Sequence, residues 1–293
     1  MAGARPRTLP AAVVPVLVGT TVAAGVGAGD GALKGIIVWR ALAAAVVALF
    51  IQIGTNYAND YSDGVRGTDG EARVGPLRLV GSGLKTPSSV KKAAVASFGV
   101  AALAGLALAA ATTWWLLLVG AVCFAAGWLY TGGPRPYGYY GFGELFVFVF
   151  FGLVATVGST YVQLGSIPWL AWAGAVPVGA LATALLVINN LRDIPTDAVA
   201  GKKTLAVRIG DARTRALYVV LMTIPYLAIP VIAGLGKRWV AILAFAAILL
   251  AQKPVLAVLE GAKGPALIPV LVGTARVQLV YGLLLSIGLF VSG

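Results

Sequence analysis

Ten carboxylates occur in the chain, and six of them fall in two short clusters: Asp60, Asp63, Asp69 and Glu71 in one, Asp193 and Asp197 in the other. The two clusters share a pattern. Residues 56–60 read N-x-x-x-D from Asn56 to Asp60, residues 189–193 read N-x-x-x-D again from Asn189 to Asp193, and a further aspartate follows each, Asp63 or Asp197. Each then runs into a glycine-containing basic segment, GSGLKT at 81–86 and GKKTLAVRIG at 201–210. An Asn and an Asp four residues apart share one face of a helix. Carboxylates gathered in this way repel one another unless a cation neutralises them. The chain has no histidine, and oxygen ligands select a hard ion, Mg2+ or similar. Mg2+ held by carboxylates keeps coordination sites for phosphate oxygens, and Arg66, Arg73, Arg78, Lys85, Lys202, Lys203 and Arg208 supply matching positive charge. The chemistry implied is a stack of carboxylate, metal, phosphate and base.

What must position these groups is a membrane bundle. The chain of 293 residues is 59% hydrophobic and 11% charged, with mean hydropathy +0.92, whereas a soluble domain is about 25% charged. Uncharged runs at 93–134 and 145–191 are each long enough for two helices, since about 20 apolar residues cross a bilayer. The short alternating segments of a β-barrel are missing. The expected fold is therefore an all-α polytopic membrane protein, a single domain over 1–293. Its nine spans lie near 8–28, 37–58, 90–110, 114–130, 142–163, 169–191, 213–235, 238–259 and 266–290. They surround a central cavity and carry two Asp-rich loops, and the first span reads as a retained helix, not a cleaved signal peptide. Seventeen of the 22 Lys and Arg fall on one side of this arrangement and four on the other. The positive-inside rule then places the N-terminus and both Asp-rich loops in the cytoplasm of a cell-membrane protein, with the C-terminus outside.

The net charge of +12 reads as basic loops facing anionic lipid or a phosphorylated substrate, and not as a nucleic-acid surface. The single cysteine, Cys123, excludes a disulfide framework, and the missing histidine excludes His-based catalysis. Each acid cluster lies where an apolar span meets a basic loop, so spans two and six read as equivalent members of an internal repeat facing each other across the cavity. Below the charged layer the bundle is apolar and suits a lipid tail. An allylic diphosphate with a long isoprenoid tail satisfies both ends.

NYANDYSDGVRGTD (56–69) and NNLRDIPTDAVAGKKTLAVRIG (189–210) resemble the two aspartate-rich motifs of the UbiA superfamily of intramembrane aromatic prenyltransferases, in the right order and within a similar span count. VGPLRLVGSGL (74–84) and GELFVFVFFG (143–152) resemble the branch that prenylates 1,4-dihydroxy-2-naphthoate. The N-D-x-x-D-x-x-x-D reading typical of 4-hydroxybenzoate enzymes is broken here, because Gly67 stands where the last aspartate would be and Asp69 follows. The resemblance implies Mg2+-assisted loss of diphosphate from a polyprenyl diphosphate. The allylic cation alkylates the carboxylate-bearing carbon of the naphthoate, and CO2 leaves to give demethylmenaquinone. Other acceptors such as 4-hydroxybenzoate are the alternative. A secondary transporter is a remote one, because the acids lie at span ends and no polar path crosses the bundle.

Carried onto this chain, the motifs assign Asn56, Asp60, Asp63, Asp193 and Asp197 to the metal. Asp60, Asp63, Asp193, Asp197 and Lys202 are the expected catalytic groups. Asn189, Arg78, Lys85 and Arg208 are expected at the substrate's diphosphate, while Asp69 and Glu71 either touch metal or order their loop. Tyr130, Tyr137, Tyr139 and Tyr140 flank Arg135 and form either an interfacial aromatic belt or a wall that orients the acceptor and steadies a cation. Glu144, at the start of the next span, is placed to orient an acceptor hydroxyl, and Tyr57 and Tyr61 are candidates to line the cavity. Asn59 and Asn190 fit helix caps as well as ligands.

Overall fold

The computed structural model describes residues 3, 5, 8–26, 33–67 and 78–293. Arg7, Asp69, Glu71, Arg73 and the 74–77 part of the branch-like segment lie outside the described residues. Within them the chain is all helix, with no strand. The helices are α1 (Pro10–Val22), α2 (Val38–Arg66), α3 (Pro87–Ala111), α4 (Trp115–Leu129), α5 (Gly143–Leu164), α6 (Trp169–Val199), α7 (Leu205–Leu235), α8 (Trp239–Leu259) and α9 (Gly264–Val291). Seven of these are long and apolar enough to cross a membrane; α1 and α4, with 13 and 15 residues, are shorter.

Apolar packing arranges them around α6. Leu181, Ala184, Val187 and Ile188 of that helix are fully enclosed and join Val14 and Val18 of α1, Tyr218 and Ile229 of α7 and Tyr281 and Leu285 of α9 in one core. α2 packs on α3 and α4, and the cavity lies between this group and the α5–α6 pair.

The edges of two helices depart from the expected spans, and both extensions carry residues that line the cavity. α2 continues through its polar residues to Arg66, and α6 continues to Val199 despite Pro195 inside it. The apolar signature stops where the polar stripe turns toward the cavity, but the backbone hydrogen bonding does not. The second break also shifts: Thr204 caps α7, its hydroxyl accepting from Val207 N at 3.4 Å, and the helical backbone is interrupted at Gly210.

Three of the four bases on the sparsely charged side are spent on carbonyls at helix ends. Arg40 donates to Val162 O at 2.9 Å and Ala111 O at 3.1 Å, Lys34 to Phe290 O and Val291 O at 2.9 Å, and Arg238 to Ala24 O at 2.8 Å. Cations suit the negative ends of helix dipoles.

Candidate active site

A cavity of about 500 Å3 joins the two aspartate clusters to an apolar interior lined by residues such as Leu108, Phe124, Phe150, Val154 and Leu185. α2 contributes Asn56, Asn59 and Asp63, and α6 contributes Asn189, Asn190, Asp193 and Asp197. Each set follows helical spacing, so one face of each helix meets the cavity.

Asp63 is the hub of the charged end and is only 2% exposed. Its Oδ2 accepts from Arg78 at 3.2 Å, its Oδ1 accepts from the Tyr139 hydroxyl at 2.5 Å, and Lys202 Nζ stands 3.5 Å from the same Oδ1. Asp60, three residues earlier on the same helix, has a different task. It is 1% exposed, and its two oxygens accept the backbone N–H of Leu79 at 3.0 Å and of Val80 at 3.1 Å. Asp60 thereby fixes the segment that delivers Arg78. On α6, the long Arg192 side chain wraps back to grip its neighbour Asp193 through two bonds of 2.7 Å. Asn59 accepts from Thr131 at 2.8 Å, and Gln52 and Asn56 both donate to Thr8, at 3.0 and 3.3 Å.

Tyr137–Tyr140 form a 3-10 turn between α4 and α5 that ties the two motifs together. The Tyr139 ring carries Lys202 Nζ at 4.7 Å and the Arg66 guanidinium at 5.4 Å from its centroid, and its carbonyl accepts from Lys203 N at 2.9 Å. Arg66 also donates to the carbonyls of Thr131 and Gly133. Tyr137 donates to Ala126 O at 2.8 Å. Burial holds its hydroxyl well above the ordinary tyrosine range, which keeps it a donor. Its ring stacks on Phe146 at 4.0 Å and meets Tyr130 edge-on at 5.4 Å.

Of the residues singled out from sequence, Asn56, Asp63, Arg78, Tyr137, Tyr139, Asn189, Asp193, Asp197 and Lys202 line this one cavity. Asp60 and Glu144 are buried beside it and are not part of its lining. Lys85 and Arg208 are exposed outside it; Arg208 donates to Lys203 O at 3.0 Å. Tyr57 and Tyr61 do not line it either. Arg5, Thr8, Thr131, Tyr130 and Thr204 do. Arg5 and Thr8 had one readable signal, their place at the edge of the first span on the same side as the acids.

Among the described residues no three acids converge closely enough to hold a metal. Arg78, Lys202 and Arg192 face the carboxylates instead. The groups offered to the cavity by Asn56, Asp63, Asp193 and Asp197 are nonetheless all oxygen donors, the set that Mg2+ prefers, with phosphate oxygens left to complete its shell.

The profile of the UbiA prenyltransferase family matches residues 12–262. The chain is 52% identical over 283 residues to 1,4-dihydroxy-2-naphthoate octaprenyltransferase of Mycobacterium tuberculosis, covering 97% of this chain and 94% of that one. It is 37% identical to the enzyme of the same name from Escherichia coli, covering 98% and 94%. Among solved structures, a UbiA homolog from Archaeoglobus fulgidus bound to DMAPP and Mg2+ superposes with a TM-score of 0.61 at 17% identity, over 98% of both chains. At that identity the likeness is one of fold.

Proposed function

The chain belongs to the UbiA prenyltransferase family, and we propose that it transfers a polyprenyl group from polyprenyl diphosphate to 1,4-dihydroxy-2-naphthoate, releasing diphosphate and CO2 and forming demethylmenaquinol, the reduced form of demethylmenaquinone. The observation that carries this reading is the full-length identity to naphthoate prenyltransferases, and the two-ended cavity suits the substrates. Arg78, Lys202 and Asn189 at the charged end take the diphosphate, and the apolar interior takes the isoprenoid tail.

Asn56, Asp63, Asp193 and Asp197 would hold Mg2+. When bound, it supplies positive charge that stabilises the departing diphosphate. Asp60 serves through the loop it anchors, and Asp193, paired with Arg192, would share its oxygens between that guanidinium and the metal. As the allylic C–O bond breaks, Arg78 and Lys202 hold the developing negative charge. The aromatic wall of Tyr130, Tyr137 and Phe146 faces the positive carbon and, with the apolar lining, keeps water from it. The ring carbon bearing the carboxylate forms the new C–C bond, and loss of CO2 restores aromaticity. No ring proton has to be removed, in keeping with a chain that has no histidine. The enzyme works from the cytoplasmic side of the cell membrane.

Purified protein given Mg2+, a polyprenyl diphosphate and radiolabelled 1,4-dihydroxy-2-naphthoate should yield a lipid-soluble product, and chelation should stop it until Mg2+ is returned. Turnover with 4-hydroxybenzoate and none with the naphthoate would overturn the acceptor assignment.

A further inference from the structure

The mechanism above leaves one buried carboxylate unused. Glu144 is 6% exposed, at the start of α5. Its Oε1 accepts from Asn190 Nδ2 at 2.8 Å, and its Oε2 is buried with no hydrogen-bond partner among the described residues. A buried acceptor left unmade is costly, and ionisable groups within a membrane bundle are costly in themselves. An apolar pair would hold α5 to α6 at lower cost, so stability alone does not explain the pair.

Its surroundings point to the acceptor. Asn190 lines the cavity, as do Tyr130, Tyr137 and Phe146. Tyr130 packs directly over the residue before Glu144: a Cβ on Gly143 would lie 3.4 Å from the Tyr130 hydroxyl and 3.2 Å from its ring. A side chain there would crowd the ring and the Leu186 side chain, each of which would have to give by a few tenths of an ångström. The Glu144–Asn190 pair and the aromatic wall thus meet at one place on the cavity.

We propose that this pair recognises a hydroxyl of the aromatic acceptor, with Asn190 as the contact and Glu144 as its positioning residue. The proposal rests on the prenyl-transfer reading, in which the asparagine that faces the diphosphate is Asn189 and not Asn190. A carboxamide presents either its oxygen or its NH2 group, whereas a carboxylate only accepts. By taking an N–H of Asn190, Glu144 fixes the amide and leaves Oδ1 as an oriented acceptor for a phenolic O–H. A hydrogen bond donated by that hydroxyl pushes electron density into the ring carbon that attacks. One C–C bond forms, the C–O bond to diphosphate breaks and CO2 departs. The proton stays on the acceptor's oxygen, and Glu144 and Asn190 end as they began.

The test measures KM separately for the naphthoate and for the polyprenyl diphosphate on the full-length protein. Glu144→Leu and Asn190→Leu should each raise the naphthoate KM by about tenfold and leave the diphosphate KM within about twofold. Glu144→Gln, which keeps an oxygen acceptor, should recover most of the loss. Methylating the recognised hydroxyl of the acceptor should weaken wild type but not Asn190→Leu. Equal change in both KM values, Glu144→Gln as damaged as Glu144→Leu, or an undiminished methyl-ether penalty in Asn190→Leu each overturns the proposal. If Glu144→Leu does not fold, Glu144→Gln and the methyl-ether comparison still decide. Wild type that prenylates no hydroxynaphthoate defeats the functional reading itself, whereas active wild type without this pattern defeats only the inference.

Discussion

Two aspartates three residues apart on α2 divide the work between them, and the division is visible in what their oxygens touch. Asp63 faces the cavity among Arg78, Tyr139 and Lys202, while Asp60 gives both oxygens to the amides of Leu79 and Val80. Asp63→Asn keeps the shape and removes the charge, so turnover should fall at least about a hundredfold, the scale of a lost electrostatic partner of the transition state. Asp60→Asn should act differently. Its amide can accept from one of the two N–H groups, and its NH2 meets the other, so stability should drop by about 1–3 kcal/mol. The Arg78 segment then loosens and the KM for polyprenyl diphosphate rises. Thermal unfolding beside steady-state kinetics separates the two, and equal loss of kcat with unchanged stability in both would defeat the division. The pairing of acids with bases was legible in the sequence, because six of ten carboxylates stand beside basic segments on an apolar background. Which aspartate meets the cavity was not, since residues 60 and 63 lie about 60° apart around a helix, and only the packed loop shows which way α2 is turned. Glu144 was legible only as a charge at a span's start, because its partner Asn190 lies 46 residues away.

At the scale of elements, the helix periodicity of both motifs was readable and the helix ends were not. A hydropathy edge marks where a helix stops facing lipid, and α2 and α6 turn a polar stripe to the cavity well before their backbones end. Helix contacts were equally hidden in composition, since glycines occur in eight of the nine expected spans. The structure sorts them. In the π-helical stretch Phe148–Val154 of α5, a Cβ on Gly152 would lie 2.5 Å from Gly179 Cα of α6, whereas a Cβ on Gly99 of α3 meets nothing within 4 Å. Gly152→Leu should therefore push α5 from α6 and cost about 1–3 kcal/mol of stability, the usual cost of overpacking, while Gly99→Leu leaves the unfolding temperature within about a degree or two. The separation of the two helices also displaces Phe150 and Val154 from the cavity wall, so Gly152→Leu should lose activity below its unfolding temperature. A Gly152→Leu protein as stable and active as Gly99→Leu would show that the two helices do not approach in this way.

For the whole molecule, the decisive asymmetry is between its two ends. α6 has 31 residues, about 46 Å of helix, and carries Asp193 and Asp197 at one end only. The opposite end has few bases, and Lys34, Arg40 and Arg238 there are engaged with helix carbonyls. The charge proposed to bind substrate and the charge that would orient the chain therefore lie on the same side, and the positive-inside rule assigns that side to the cytoplasm. This arrangement was legible from the sequence as a count of loop charges, but the count depends on how many spans separate the loops, and α1 and α4 are short. Labelling resolves the orientation without assuming that number. The chain has one cysteine, Cys123, on the cavity lining, so Cys123→Ser gives a clean background for single cysteines. Lys85 and Arg208 are exposed at the aspartate end, and Ser166 and Lys237 at the other. Added to intact cells, a membrane-impermeant maleimide should react with Ser166→Cys and Lys237→Cys and spare Lys85→Cys and Arg208→Cys, which become reactive only in inverted vesicles. The reverse pattern would place the diphosphate site outside the cell, away from the cytoplasmic supply of polyprenyl diphosphate that this reaction consumes, and would overturn the orientation together with the charge argument behind it.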